Sequence, residues 1–143
     1  MKKLETELIA RAIITHNERM LVCENKKGEH YFLPGGHVEF REAAKEALVR
    51  EIKEEFGVQG NVGEMAGILE NTYKLGDVMH HEINLIFSAS IPTTDIVSLE
   101  DHIAFHWIKF GELSTINLLP SKLSKIVSKW LNDKETFFES SIT

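Results

Sequence analysis

The sequence predicts an α/β or α+β sandwich built around a mixed β-sheet. Two observations predict this class: apolar, β-branched segments recur along the chain, and two segments with helical periodicity are interleaved with them. The chain has 143 residues, of which 43% are hydrophobic, so it is close to the size of one domain and can bury a core. We therefore expect a single domain over residues 1–143. The order of the strands does not follow from the sequence.

The first part of the chain contains strand signals separated by turns. Residues 6–14 are rich in apolar and β-branched side chains, a turn follows at 16–18, and a second apolar run occupies 19–24. This pattern predicts a β-hairpin. A short strand is expected at 31–33, and the Pro-Gly-Gly sequence at 34–36 ends it because these residues disfavour regular structure.

A helix is predicted from Phe40 or Arg41 to Phe56, with Gly57 at the position of a C-terminal cap. Strand signals return after it. The predicted elements of this part are strands at 62–73, 81–90 and 103–109, a loop at 91–101, and one helical turn at 110–113.

The C-terminal part contains the second helical segment. Apolar residues of 121–132 recur at i, i+3, i+4, i+7 and i+8, which predicts an amphipathic helix packed on the sheet. Residues 135–143 are expected to fray or to dock weakly.

Charge and cysteine content limit the classes of partner. The formal net charge of −6 argues against a nucleic-acid surface, so an anionic substrate would need cations for binding. The single cysteine, Cys23, excludes an internal disulfide, and because it follows an apolar run we expect a buried structural thiol. No apolar stretch has the length of a signal peptide or a membrane span. We expect a soluble cytoplasmic protein, monomeric or homodimeric, that contacts neither membrane nor nucleic acid.

Three glutamates border the apolar stripe of the first helix. At 100° per residue, the stripe that faces the core comprises Ala44, Leu48, Ile52 and Phe56. Three like charges beside a core repel one another unless something compensates, and a divalent cation such as Mg²⁺, which prefers oxygen ligands, would do so. The geometry therefore predicts a metal site at Glu51, Glu54 and Glu55.

The stretch from Gly36 to Val58 reads GHVEFREAAKEALVREIKEEFGV and resembles the signature box of the Nudix hydrolases at every specified position. The resemblance implies an α/β/α sandwich with a mixed β-sheet. It implies that the box holds Mg²⁺ or Mn²⁺ on a diphosphate, and that water attacks phosphorus in a nucleoside diphosphate linked to another group. It also implies residue roles: Glu51, Glu54 and Glu55 bind metal with the Gly35 carbonyl, Arg50 orients the acidic side chains, and Glu42 is the earlier box glutamate.

Residues outside the motif are candidates for the general base. Relatives often place a further catalytic glutamate on a loop before a late strand, which makes Glu100 a candidate metal ligand or base, with Asp101 as its rival. Glu51 or Glu54 could serve instead, because coupled carboxylates share protons.

Substrate-binding candidates lie in three places. Many family members have glycine where this chain has Arg41, so a cationic side chain could reach the substrate there. Tyr73 and Phe32 could stack on a base, and His81 and Glu82 could line a polar pocket. A zinc site built on the histidines near position 80 fits no familiar ligand spacing.

The substrate is less defined than the reaction. In its small size the chain is most similar to nucleoside triphosphate pyrophosphatases and house-cleaning nucleotide pyrophosphatases. ADP-ribose, sugar-nucleotide and dinucleoside polyphosphate hydrolases are the alternatives. A catalytically silent, nucleotide-sensing Nudix module would have a damaged acidic cluster, whereas this cluster is complete. A non-enzymatic metal-binding protein built on the histidines would keep its metal affinity without the box glutamates.

Overall fold

The structure, a computed structural model, describes residues 3–142, and these form eight strands, two α-helices and one 3₁₀ helix. Met1, Lys2 and Thr143, which belong to the predicted terminal segments, lie outside the described residues. The strands are β1 (Lys3–His16), β2 (Arg19–Asn25), β3 (His30–Phe32), β4 (Gly35–His37), β5 (Asn61–Leu75), β6 (Val78–Ser90), β7 (Ile103–Lys109) and β8 (Phe137–Ser140). The helices are α1 (Ala44–Phe56), the 3₁₀ helix (Phe110–Thr115) and α2 (Leu123–Asp133).

Strand β1 organises the sheet. It pairs in parallel with β6 from Lys3 to Ile14, antiparallel with β4, and antiparallel with β2 at the hairpin turn. On one side β6 continues antiparallel to β5, which carries β8 in parallel at the edge. On the other side β2 pairs antiparallel with β3 and β7. The sheet is therefore mixed, as the sequence predicts.

The two α-helices lie on opposite faces of this sheet. Ile13 of β1 belongs to the core that contains Val127 of α2. Its neighbour Ile14 belongs to the core that contains Leu48 of α1. Because adjacent strand residues point to opposite faces, helices cover both faces of the sheet. The predicted α/β/α sandwich is confirmed, and fully burying each of these aliphatic side chains contributes about 1.5 to 3 kcal/mol.

Local turn chemistry fixes both hairpins. Asn17 and Glu18 between β1 and β2 have φ of 49° and 60°, the left-handed conformation required of a two-residue hairpin loop. Gly76 between β5 and β6 has φ of 61°, which costs glycine little.

Cys23 is fully buried, which confirms the structural thiol, and burial raises the pKa of this thiol well above its usual value. Among the described residues, no helix combines the length and apolarity needed to cross a membrane.

The predicted start of the first helix is wrong. The helix begins at Ala44 rather than Phe40 or Arg41. Arg41 has φ of 68°, and Ala43 is extended, so neither residue has helical geometry. The Glu42 side chain accepts a hydrogen bond from the Glu39 N–H at 3.1 Å, which stabilises a turn in place of the first helical turn.

Two short strands also differ from the sequence-based expectation. Residues 34–36 do not simply end a strand, because Gly35–His37 form β4 against β1. The tail does not fray over its described part, because β8 pairs with residues 67–70 of β5. Gly67 permits this pairing, since a Cβ there would overlap the ring of Phe137.

Candidate active site

The chain approaches helix α1 through two closely packed glycines. Gly35 has φ of 140°, and a Cβ there would collide with the backbone oxygen of Ala10 on β1. A Cβ on Gly36 would lie 2.5 Å from the carboxylate carbon of Glu51. These glycines let the backbone of β4 pass directly beside the first acidic side chain of the predicted metal site.

Arg50 connects the acidic residues. Its Nε and Nη2 donate to the two carboxylate oxygens of Glu42 at 2.8 and 3.0 Å. Its Nη1 donates to Glu51 at 3.0 Å and, more weakly, to Glu54 at 3.3 Å, while Nη2 also reaches the His37 carbonyl at 3.0 Å. Hydrogen bonding from Arg50 lowers the pKa of Glu42 to about 2. The guanidinium therefore fixes three carboxylates at once.

Glu55 is the most constrained of the three predicted ligands. Among residues 3–142, its Oε2 is a buried side-chain oxygen without a hydrogen-bond partner. Burial, followed by repulsion from Glu51, raises the pKa of Glu55 to about 8, although Arg11 and the Gly35 backbone oppose this rise. Burial also raises the pKa of Glu51. Neighbouring carboxylates with elevated pKa values and a buried oxygen without a partner are the arrangement that a divalent cation would stabilise.

The donor set fits a hard divalent cation. Glu51 is largely buried, Glu54 is 56% exposed, and Glu55 turns a free oxygen inward, so the group offers only carboxylate oxygens with one side open. Mg²⁺ and Mn²⁺ accept such ligands and retain waters toward an open side. The Gly35 backbone lowers the pKa of the Glu55 carboxyl, and metal binding by the Gly35 carbonyl stays a prediction.

The late loop approaches the same group. The N–H of Leu99 donates to the carbonyl of Glu55 at 3.2 Å, which anchors the loop at the end of α1. The charge of Glu100 contributes to the raised pKa of Glu55, and the Glu100 side chain is 49% exposed. Asp101 is exposed in the adjoining turn, and its charge is not among those that raise the pKa of Glu55. A catalytic or metal-binding role for Glu100, with Asp101 as its rival, stays a prediction.

A cleft of about 670 Å³ opens on the α2 side of the sheet. Its lining includes a buried polar group, in which Glu82 accepts hydrogen bonds from the side-chain amides of Asn71 and Asn84, both at 3.2 Å. Its aromatic lining includes Phe32 and Tyr73. Tyr73 and Glu82 thus line the same cleft, and a substrate contact by either residue stays a prediction.

Reasoning from the sequence missed Arg11, the cation of β1 that lies in this cleft. It lines the cleft, donates to the Leu33 carbonyl at 3.0 Å, and its charge opposes the rise in the pKa values of Glu51 and Glu55. The available signal was a single cation in the middle of the otherwise apolar segment 8–14.

Two predicted substrate residues do not line this cleft. Arg41 is exposed and lies in the turn that precedes α1. His81 is exposed and alternates with Leu85 and Phe87, whose side chains face the α1 core, so it lies on the opposite face of β6 from Glu82. For both residues a substrate contact stays a prediction.

Comparison with known proteins agrees with this geometry. The model of the NUDIX domain family matches residues 6–131, which covers most of the chain. The chain belongs to the Nudix hydrolase family. As a Nudix hydrolase it is an enzyme that acts on acid anhydrides, and the catalytically silent alternative is therefore not retained.

Individual relatives differ in their named substrates. An ADP-ribose pyrophosphatase of Methanocaldococcus jannaschii is 27% identical over 123 residues, which cover 84% of this Nudix hydrolase and 72% of the relative. Diphosphoinositol polyphosphate phosphohydrolase 2 of Mus musculus is 40% identical over 55 residues, and this alignment spans only 31% of its length. The crystal structure of a MutT protein from Methanosarcina mazei Go1 has a TM-score of 0.75, with 20% identity over 94% of this chain and 99% of that one. This structural similarity establishes the fold.

Proposed function

We propose that this Nudix hydrolase cleaves a phosphoanhydride bond in a nucleoside diphosphate-linked substrate, using Mg²⁺ or Mn²⁺ held by Glu51, Glu54 and Glu55. The observation that carries the proposal is the buried, unpartnered Oε2 of Glu55 beside Glu51. An acidic surface would otherwise repel a polyanion, and a cation at this point reverses the local field.

The residues of the chain have distinct tasks in this reaction. A bound divalent cation supplies charge neutralisation on the phosphates and a more acidic water. Arg50 keeps Glu51 and Glu54 oriented through the hydrogen bonds at 3.0 and 3.3 Å. Arg11, which lines the cleft, would bind a phosphate oxygen of the substrate.

Hydrolysis requires a base for the attacking water. Water attacks one phosphorus, the bond to the bridging oxygen breaks, and the leaving phosphate keeps the bonding electrons. A carboxylate takes the proton released by the water. We propose that one of Glu51, Glu54 and Glu100 performs this step, since all three belong to the acidic group or approach it.

We propose that the nucleoside binds in the cleft. Tyr73 is 38% exposed and presents an aromatic face for stacking, and Phe32 lies across the same cleft. The Glu82 carboxylate, with the Asn71 and Asn84 amides, provides acceptors and donors for polar atoms of a base.

A nucleoside triphosphate or house-cleaning nucleotide is the first candidate substrate, because the chain is small, with 143 residues. ADP-ribose is the second candidate, favoured by the relative named ADP-ribose pyrophosphatase, which aligns over 84% of this chain.

A substrate panel tests the proposal. Nucleoside triphosphates, ADP-ribose, sugar nucleotides and dinucleoside polyphosphates are incubated with the enzyme and Mg²⁺, and products are separated by chromatography. Glu54→Gln is the impaired variant, and Glu46→Gln, exposed on the same helix, is the matched control. We expect cleavage of at least one class by wild type and control only. Absence of cleavage across the panel, or equal rates for Glu54→Gln, would refute the proposal.

We also propose that residues 1–143 form one domain and that the protein is cytoplasmic. The buried free thiol of Cys23 supports a reducing compartment. Limited proteolysis that yields two stable fragments would contradict the first statement. Fractionation of cells that places the tagged chain outside the cytoplasm would contradict the second.

A further inference from the structure

A second group of titratable side chains lies outside the signature box. Glu5 and Glu7 on β1 meet His80 on β6 because these strands run parallel, with Glu5 paired to His80 in the register. One ligand atom from each residue lies within 4.8 Å of the other two. Nδ1 of His80 is hydrogen-bonded to Oε1 of Glu7 and lies 3.8 Å from Oε2 of Glu5.

The surroundings hold these side chains in place. The Tyr73 ring stacks on the His80 ring at 4.6 Å with an interplanar angle of 6°. His37 Nε2 lies 2.6 Å from the second oxygen of Glu7, so each oxygen of this carboxylate has its own imidazole partner. The side chains of Glu7 and His80 are only 10% and 13% exposed. Outer contacts of this kind orient the ligands of metal sites.

Hydrogen bonding within the group is incomplete. A single Nδ1–H of His80 faces two carboxylates and can serve only one of them at full strength. Glu5 uses its other oxygen for Lys3, at 3.1 Å, and that lysine is 70% exposed. Oε2 of Glu5 therefore faces a ring nitrogen that already serves Glu7, and a cation bound by all three residues would satisfy the second carboxylate as well.

We propose that Glu5, Glu7 and His80 form a binding site for a divalent transition-metal ion of the zinc class, distinct from the cation site of the box. Neutral imidazole and carboxylates are ligands of Zn²⁺, whereas Mg²⁺ prefers oxygen alone. His80 binds through Nδ1 with its proton on Nε2, and three protein ligands leave a position for water. This site does not depend on the proposed substrate.

The location gives the ion a role at the cleft. Tyr73 lines the cleft with one part of its ring surface and packs on His80, so the metal lies next to the aromatic wall. Bound there, the ion offsets the charges of Glu5 and Glu7, which would otherwise repel a phosphorylated substrate near the rim.

Zinc titration of the full chain tests this proposal. The background is the triple variant Glu51→Gln, Glu54→Gln, Glu55→Gln, which removes the box carboxylates, and calorimetry of the metal-free protein measures binding. We expect one Zn²⁺ per chain, not displaced by excess Mg²⁺. Adding His80→Gln should weaken binding at least about 10-fold. Adding His81→Gln, the exposed neighbour, should leave the affinity within about twofold, since its side chain lies on the opposite face of β6 from His80.

Two results would overturn the proposal. One is the absence of saturable zinc binding in the background variant, which would mean that Glu7 and His80 form only a hydrogen-bonded pair. The other is an equal effect of His80→Gln and His81→Gln. Melting curves establish that each variant folds. If the His80 variant does not, Glu5→Gln, whose side chain is 38% exposed, replaces it with the same expected loss.

Discussion

Arg50 donates to both carboxylate oxygens of Glu42, at 2.8 and 3.0 Å, across the turn that precedes α1. The same guanidinium reaches Glu51 on its own helix at 3.0 Å. The loop at the start of the box and the acidic face of the helix are thus joined through one side chain. This contact explains how a loop with non-helical geometry at Arg41 keeps a fixed position beside the acidic group.

Replacing Arg50 with lysine tests this contact. A lysine ammonium keeps the charge but cannot donate two parallel hydrogen bonds to Glu42 while also reaching Glu51. We expect Arg50→Lys to lower kcat about 10- to 100-fold, the usual effect of losing an orienting partner. Steady-state kinetics on the best panel substrate provide the measurement. Lys53→Arg, a substitution at an exposed position of the same helix, serves as control. Wild-type activity in Arg50→Lys would show that the paired hydrogen bonds from the guanidinium to Glu42 are not needed.

Adding a methyl group at Gly36 should disturb the metal site directly. The new Cβ would lie 2.5 Å from the Glu51 carboxylate carbon, so this side chain has to move. We expect Gly36→Ala to weaken Mg²⁺ binding and activity by about 10-fold or more, because Glu51 leaves its position beside Glu55. Gly111→Ala is the matched control, since a Cβ added at Gly111 would meet nothing within 4 Å. Equal Mg²⁺ affinity in both variants would argue against a metal-binding role for Glu51.

The raised pKa of Glu55, about 8, predicts proton release on metal binding. At pH 7 most of this carboxyl is protonated without metal, and a cation binds only the ionised form. We expect roughly one proton to be released per metal ion at pH 7 and fewer above pH 8. Calorimetric titration of Mg²⁺ in buffers with different ionisation enthalpies measures this number. A heat that is independent of the buffer at pH 7 would be inconsistent with Glu55 as a ligand.

The same carboxyl predicts how stability depends on pH without metal. Between the ordinary pKa of 4.5 and about 8, the unfolded chain loses the Glu55 proton while the folded chain retains it. The free energy of unfolding therefore falls as the pH rises through this range. Glu55→Gln removes the effect and should be more stable than wild type at pH 8, by on the order of 2 to 4 kcal/mol. The difference should vanish toward pH 4.5.

Urea unfolding of metal-free wild type and Glu55→Gln at several pH values gives this comparison. Saturating Mg²⁺ should reverse the order, because the cation stabilises only the chain that binds it. If the two proteins keep the same stability difference at pH 4.5 and pH 8, burial of this carboxyl is not the cause.

Periodicity alone predicted the arrangement of α1. The stripe at Leu48, Ile52 and Phe56 is buried, and the glutamates between these positions border it, as helical geometry requires. The acidic group could be predicted because its members lie within five residues on one helix. The start of the helix could not, because Arg41 and Glu42 adopt a turn that depends on contacts to Glu39 and Arg50.

Features that depend on strand order were not predictable. Glu7 and His80 are separated by 73 positions and meet only because β1 and β6 pair in parallel. Strand β8 has four residues, too few for a periodic pattern, and it exists because Gly67 leaves space for Phe137. Arg11 lies in the cleft because β1 pairs with β4 and β6, which places it opposite Gly35 and Ile86. Local signals in the sequence contain no information about these distant partners.

The Mg²⁺ dependence of hydrolysis, measured in wild type, Glu55→Gln and Glu46→Gln with the best panel substrate, shows whether these carboxylates hold a catalytic cation. We predict that wild type and Glu46→Gln show rates that saturate with Mg²⁺ and disappear with chelator. Glu55→Gln should be slower by about 10²-fold or more, because it changes the buried carboxylate that we propose as a cation ligand. Undiminished hydrolysis in chelator, or wild-type rates in Glu55→Gln, would contradict the assignment of these carboxylates as the catalytic metal site.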